Sequence, residues 1–197
     1  TKGEETKYLR EQIEKQGCRV LVIDIGTRGT PSIPADITRE EVLAAAGKDI
    51  DREALKQDRP RLIQAMIDGA GEKVRELYSA NKLSGIIGIG GATNTLMCTG
   101  AMKALPFGIP KLMVSSNASA RGFASRYFGA SDIAIMHSVI DFTSLNDLMR
   151  DVLDRAAGSI VGMVSKRVPH ATFADLEKQA KPRVAMTMLN MCEKCAE

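Results

Sequence analysis

Residues 83–102 contain no charged side chain, although charged residues make up 26% of the chain. Lys82 and Lys103 flank this stretch. A membrane-spanning helix would also be free of charge, but glycines and hydroxyl or amide side chains interrupt this segment, and they disfavour a span. The stretch therefore predicts a buried strand, a tight loop and a helix within a folded core.

Short aliphatic runs alternate with longer amphipathic segments along the chain. The aliphatic runs are bounded by Gly, Pro or Asp, which is typical of strands buried on both faces of a parallel sheet. The predicted strands are Arg19–Ile25, Gly85–Ile89, Lys111–Ser115, Ile133–Met136 and Val184–Leu189. The predicted helices are Glu4–Lys15, Arg39–Ala46, Asp58–Ala80, a helix from Gly91 to near Leu105, and Ser144–Lys166. This order predicts an α/β class, a Rossmann-like, doubly wound and mostly parallel sheet with helices on both faces.

The chain opens with a helix, whereas a doubly wound fold begins with a central strand, so we expect a further strand just upstream. Residues 1–164 are expected to form the α/β domain, and residues 165–182 a polar linker. Residues 183–197 are expected to start a second α/β domain.

A glycine-rich loop lies at the predicted strand-to-helix junction. Glycines let a backbone approach a ligand closely, and free N–H groups at a helix start favour phosphate or carboxylate. The loop matches neither GxxxxGK[ST] nor GxGxxG, because no Lys follows the glycines and Thr93 replaces the third glycine. A tight turn with close packing explains the same pattern. The candidate binding residues are Gly88, Gly90, Gly91, Ala92, Thr93, Asn94 and Thr95.

Two further loops follow predicted strands and should converge on the same crevice, because ligands of open α/β sheets lie beyond the carboxyl ends of the strands. Ser116, Asn117 and Ser119 could hold phosphate or ribose, although a helix cap explains them as well. Asp24, with residues 26–27, could contact a sugar or a base, although a plain turn is the alternative. The binding candidates in that turn are Gly26 and Thr27. Lys2, at the amino-terminal edge, could reach an anion.

His137 and Asp141 follow the next predicted strand and are candidates for acid–base catalysis, although a His at a strand end is more often structural. Cys192 and Cys195 have redox or half-zinc spacing, but no second pair accompanies them, so no metal site is predicted.

Charge and cysteine content limit the expected partners and the expected cellular compartment. The net charge is +3 and no run of five like charges occurs, which gives no support to nucleic-acid binding. Thr1–Arg10 lacks the apolar core of a signal peptide. Four cysteines are too few for a disulfide framework, so a reducing cytoplasm is expected. We also expect a homo-oligomer without a membrane partner.

Several motifs together resemble a family that includes the tomato protein conferring resistance to tomato mosaic virus, with bacterial and fungal relatives. The start of the chain, Thr1-Lys2-x-x-Glu5, is similar to the end of the family's T-x-D-T-K-x-x-E motif. The family loop G-x-G-G-S-G-G-T has Ala92-Thr93-Asn94 here in place of S-G-G. The other matching motifs are Leu105-Pro106-x-Gly108-Ile109-Pro110-Lys111, Ser116-x-Ala118-Ser119, Tyr127-x-Gly129-x-Ser131-Asp132, Ser138-Val139-x-Asp141, Asn146 and Gly162-Met163.

The resemblance implies a two-domain protein about twice this length, with an amino-terminal α/β domain that binds ATP in the tomato protein. The expected ligand is thus ATP or another nucleotide, with Mg²⁺ as a companion ion. One alternative is an enzyme acting on a small phosphorylated or carboxylated metabolite. A second alternative is a non-catalytic protein-interaction module.

Overall fold

The structure, a computed structural model, describes residues 2–29, 31–47 and 57–166. Within these residues, three strands form a parallel sheet in the order β1-β2-β3, which confirms the α/β class and the parallel sheet. Ile87 lies opposite Leu112, and Ser115 lies opposite His137. The strands are β1 Ile86–Gly90, β2 Lys111–Ser115 and β3 Ala134–His137.

The helices begin and end within one turn of the predicted bounds, with one addition. The capping box at Thr38 and Glu41 is present, and the Asn146 side chain caps the last helix. The addition is a short helix after Gly122, too brief for a periodic pattern to show. The helices are α1 Gly3–Glu14, α2 Arg39–Ala45, α3 Arg59–Ser79, α4 Ala92–Met102, α5 Phe123–Tyr127 and α6 Asp147–Ser165.

Helices cover both faces of the sheet. Leu112 and Val114 of β2 join one apolar cluster with α1 and α6, whereas Met113 joins another with Met102 of α4. Successive side chains of a strand point to opposite faces. All five residues of β2 are buried as a result.

The prediction of a strand at Arg19–Ile25 is wrong for the described structure. The segment forms a single parallel bridge, between Ile23 and Ile37, and does not join the sheet. The physical reason is that no strand among residues 2–29, 31–47 and 57–166 lies beside it. Two adjoining cavities of about 430 and 410 Å³ separate residues 18–25 from β1. We call this space the slot.

The predicted carboxyl-terminal features lie mostly outside the described residues. Helix α6 runs through Ser165, into the predicted linker. The rest of that linker, the strand Val184–Leu189, and the pair Cys192 and Cys195 fall outside. None of the described helices is sufficiently long and apolar to cross a bilayer.

Candidate functional site

The carboxyl ends of the three parallel strands bring the predicted loops to one edge of the sheet. At the end of β1, Gly90 has a φ of 144°, a conformation that an L side chain rarely adopts. A Cβ there would lie only 2.6 Å from the Cβ of Asn94. Gly91 is the N-cap of α4, and no side chain caps this terminus. The N–H groups of the first turn are therefore available to an anion.

Ser116, after β2, lies beside this helix terminus. A Cβ added at Gly91 would lie 3.5 Å from the Ser116 Oγ, an ordinary contact. The Ser116 hydroxyl donates a hydrogen bond of 2.5 Å to Oδ1 of Asp141, which follows β3. The loops after all three strands are thus connected side by side.

Lys2 lies on the amino-terminal side of the same edge. Its ammonium donates a hydrogen bond to the carbonyl of Phe142 and lies 5.3 Å from that ring's centroid. Burial lowers the pKa of Lys2, while the negative charges of Glu5 and Asp141 oppose that shift. A partly desolvated cation therefore lies near the Ser116–Asp141 pair.

The second of the two slot cavities, of about 410 Å³, opens at this edge. Its lining includes Lys2, Thr93, Asn94 and the turn at residues 24–28. The volume lies within the range of small-molecule sites. Two of the predicted loops and the amino-terminal edge at Lys2 therefore share one cavity.

Some predicted residues use their polar groups within the protein. Thr95 is fully buried, and its hydroxyl lies 2.7 Å from the Ser115 Oγ. The Asn117 amide donates to the Tyr127 hydroxyl at 2.9 Å. These contacts position the loops. The side chains of Thr95 and Asn117 therefore bond within the protein and are not free groups at the carboxyl edge of the sheet.

Asp24 is similarly engaged. Its Oδ2 pairs with the Arg39 guanidinium at 2.8 Å, and its Oδ1 accepts the Gly26 N–H at 2.7 Å. The turn at residues 24–27 is therefore fixed by its own contacts, which leaves Thr27 as its half-buried hydroxyl side chain at the cavity.

The other predicted residues divide between packing and exposure. Gly88 is buried, and a Cβ there would lie 2.7 Å from the Cβ of Cys98, so this glycine permits close packing of α4 on β1. Ala92, Ser119 and His137 are exposed. In the described part of the chain, the His137 side chain makes no hydrogen bond, and none joins it to Asp141.

The sequence alone missed the buried ion pair that ties β2 to the turn before β3. The Lys111 side chain is 1% exposed, and its ammonium donates to Asp132 at 2.7 Å and to the Pro106 carbonyl at 2.8 Å. A charged residue opening an otherwise apolar strand was the available signal. Both residues belong to the motifs that resemble the family, and in the structure they pair with each other within the fold.

A strained residue precedes Asp141. Val139 has a φ of 66°, uncommon for a β-branched residue, and its side chain is 76% exposed. The Ser138 hydroxyl, on its other side, donates to the Ile140 carbonyl at 2.7 Å. This tight turn places Asp141 against Ser116.

Metal ligands are sparse in the described ranges. Across residues 2–29, 31–47 and 57–166, no group of three or more His, Cys, Asp or Glu side chains is arranged to hold a metal ion. Asp141 is linked to the α4 terminus through the hydrogen bond that it accepts from Ser116.

The chain is similar to bacterial proteins over nearly its full length. It is 36% identical to a UPF0261 protein of Clostridium tetani over 98% of the chain and 46% of the relative. It is also 36% identical to a UPF0261 protein of Mesorhizobium japonicum, again over 46% of that relative. The chain thus spans about half the length of the curated relatives it matches.

A plant relative matches a shorter part. The ToMV resistance protein Tm-1(GCR237) of Solanum lycopersicum is 34% identical over 57% of the chain and 15% of its own length. The family model described as the "Uncharacterised protein family (UPF0261) N-terminal domain" matches residues 1–169. That match includes every strand and helix described above, and the chain therefore belongs to the UPF0261 N-terminal domain family.

Proposed function

We propose that this chain is a nucleotide-binding domain and that the carboxyl edge of its sheet holds the phosphate groups of ATP. The observation that supports this most is the amino terminus of α4, where Gly91 is the N-cap and no side chain occupies the helix N–H groups. The partial positive charge of such a terminus favours a phosphate. The absence of a Cβ atom at residue 91 leaves room for it.

The surrounding side chains have complementary roles in this proposal. Lys2 supplies a positive charge, and the Ser116 hydroxyl, which donates to Asp141, holds that carboxylate beside the helix terminus. The turn at residues 24–27 lines the far wall of the cavity, where it would contact the sugar or base. Asp141 is the residue that would hold an accompanying Mg²⁺, since carboxylates are its preferred protein ligands.

Substitution of Gly91 tests the proposal in the full-length protein. Because a Cβ at Gly91 meets only the Ser116 Oγ at 3.5 Å, Gly91→Val should fold but place methyl groups over the helix terminus. We expect the affinity for ATP, measured by calorimetry, to fall at least about tenfold. Gly158→Ala, where a Cβ meets nothing within 4 Å, is the control and should bind as the wild type does. Equal affinity in the Gly91 variant would contradict the proposal.

One observation favours an enzyme as the second candidate. The 2.5 Å hydrogen bond from Ser116 to Asp141 places a carboxylate next to a hydroxyl at the edge where a ligand would lie. Asp141 could then accept a proton from a bound phosphorylated or carboxylated metabolite. Turnover by the full-length protein that Asp141→Asn abolishes, with ligand affinity retained, would favour this candidate over binding alone.

The cytoplasmic location and the oligomeric state also stay proposals. Cys18 and Cys98 are free thiols, which fits a reducing cytoplasm. A homo-oligomer is proposed with it, and sedimentation of the full-length protein tests this.

A further inference from the structure

The charged residues that line the second slot cavity, of about 410 Å³, are mostly cations. Among the described residues, Asp24 is the one carboxylate in its lining. Two of the cations have counter-charges, because Arg39 pairs with Asp24 and Arg10 pairs with Glu14. The other three form no ion pair with a described carboxylate. A cavity lined by one sign of charge concentrates ligands of the opposite sign. The five basic lining residues are Lys2, Arg10, Arg28, Arg39 and Arg59.

The carboxylate of Asp24 is already engaged within the protein. Its Oδ2 accepts from two nitrogens of the Arg39 guanidinium, each at 2.8 Å, and its Oδ1 accepts the Gly26 N–H. In nucleotide-binding α/β folds, an acid at the carboxyl end of a strand accepts hydrogen bonds from ribose hydroxyls, whereas an arginine nearby binds a phosphate on the ribose. The engagement of Asp24 favours the second of these two arrangements.

Arg28 is the arginine that lies nearby. The guanidinium of Arg39 donates to the Gly29 carbonyl at 2.7 Å as well as to Asp24, so it holds the chain on both sides of Arg28. The Arg28 side chain itself is exposed and lines the cavity. A cation on a loop that is fixed by other contacts loses little freedom when it binds an anion.

Arg59 brings a second cation to the same cavity, at the first position of α3. The N-cap carboxylate, Asp58, accepts the Arg61 N–H at 3.2 Å and lies 4.0 Å from the Arg61 Nε, so it is directed to Arg61. The first turn of α3, residues 59–62, contains no Asp or Glu. Because a helix amino terminus carries a partial positive charge, a cation there is unfavourable unless an anion offsets it.

We propose that Arg28 and Arg59 form a second anion subsite in this cavity and that it binds a phosphate on the ribose of the nucleotide. The inference rests on the proposed function, in which the α4 terminus holds the phosphate chain and the turn at residues 24–27 contacts the sugar. Arg28 directly follows that turn, so a charge on the sugar would meet it. The preferred ligand class is thus a nucleotide that is phosphorylated on its ribose, and ATP occupies the first subsite alone.

Calorimetry of the full-length protein with matched ligands tests this ligand class. The ligands are ATP, AMP and the two adenosine bisphosphates that carry the second phosphate at the 2′ or the 3′ position of the ribose. At least one bisphosphate should bind at least about tenfold more tightly than AMP, from which it differs by the ribose phosphate alone. The position that gives the gain identifies which ribose phosphate the subsite accepts.

Substitution of the two arginines tests their role. In Arg28→Ala and in Arg59→Ala, the ratio of bisphosphate affinity to AMP affinity should fall to about one. Arg61→Ala is the matched control, because the Arg61 side chain is 77% exposed and is not among the described residues that line the cavity. This control should keep the wild-type ratio.

The possible failures are distinguishable. If ATP binds but neither bisphosphate binds more tightly than AMP, the second subsite is overturned and the proposed function stands. A ratio that is unchanged in both cavity variants, or that falls equally in Arg61→Ala, would also overturn the subsite. If none of the four nucleotides binds, the proposed function fails and this inference fails with it.

Discussion

Strands β1 and β2 have the same length and lie side by side, yet they differ in burial. All five residues of β2 are buried, whereas Ile86, Ile87 and Ile89 of β1 are only half-buried. Both strands are dominated by apolar residues and both are covered by helices. The difference lies in their neighbours, since within the described residues β2 has a strand on each side and β1 has one on one side only. Burial of a strand thus depends on its sheet neighbours as much as on its residues.

The polar groups follow the same division. On the β2 side, Lys111 pairs with Asp132, and Thr95 bonds to Ser115, so buried groups have protein partners. On the β1 side, no side chain of the described residues caps the first turn of α4. We therefore look for a ligand on the β1 side.

Removal of Asp132 should produce the largest loss of stability. Asp132→Asn leaves the Lys111 ammonium buried without its counter-charge, which typically costs about 3–5 kcal/mol. Urea unfolding of the full-length protein measures this. The double variant Lys111→Met with Asp132→Asn is the control and should recover most of the loss, because no buried charge remains. A loss below about 1 kcal/mol in the single variant would mean that the pair is solvated.

Truncation of the registered pair Ile87 and Leu112 compares the two strands directly. Leu112→Ala removes a side chain that is 3% exposed and should cost about 2–5 kcal/mol. Ile87→Ala in the 197-residue chain should cost less than half of that, because the side chain borders the slot. Equal costs in the 197-residue chain would contradict the comparison.

Alanine at Gly90 and at Gly91 should separate strain from ligand contact. Gly90→Ala forces an L side chain to a φ of 144° and a Cβ to within 2.6 Å of Asn94, so we expect a loss of about 1–3 kcal/mol. Gly91→Ala meets only an ordinary contact and should change stability little. Thermal unfolding of both variants measures this. Equal destabilisation would show that the junction is not strained at Gly90.

Among these predictions, the rate of labelling at the Cys98 thiol should show the smallest effect. Burial raises the pKa of Cys98 to about 12. Since only the thiolate is nucleophilic, labelling of Cys98 by a disulfide reagent at pH 8 should be slow. Cys18, on the other wall of the slot, is the internal comparison. Mass spectrometry after timed labelling should show Cys98 modified later than Cys18, and the reverse order would contradict this account.

The sequence predicted the regular elements well because their causes are local. The aliphatic run at Lys111–Ser115 and the capping box at Thr38 each act within a few residues, and both lie as expected. The strand at Arg19–Ile25 was predicted wrongly, because strand formation needs a partner that a local pattern does not reveal.

For the site, the sequence predicted which loops meet but not what each side chain does there. The parallel sheet implied that the loops after β1 and β2 converge, and Ser116 does lie beside Gly91. The contact of Ser116 with Asp141, after β3, was not predicted. Periodicity could not show that Asp24 is engaged by Arg39 or that Thr95 is buried. Those contacts join residues far apart in the chain, and they depend on the packed core.

Amide chemical shifts during an ATP titration of the full-length protein test the central proposal most directly. We expect the largest shifts at the N–H groups of Ala92, Thr93 and Asn94, with smaller ones at Ser116, because the phosphate is proposed to lie at this helix terminus. The shifts should saturate with ATP and be lost in Gly91→Val. No saturable shift at residues 92–94, or shifts confined to another part of the sheet, would contradict the proposal that this edge binds a nucleotide.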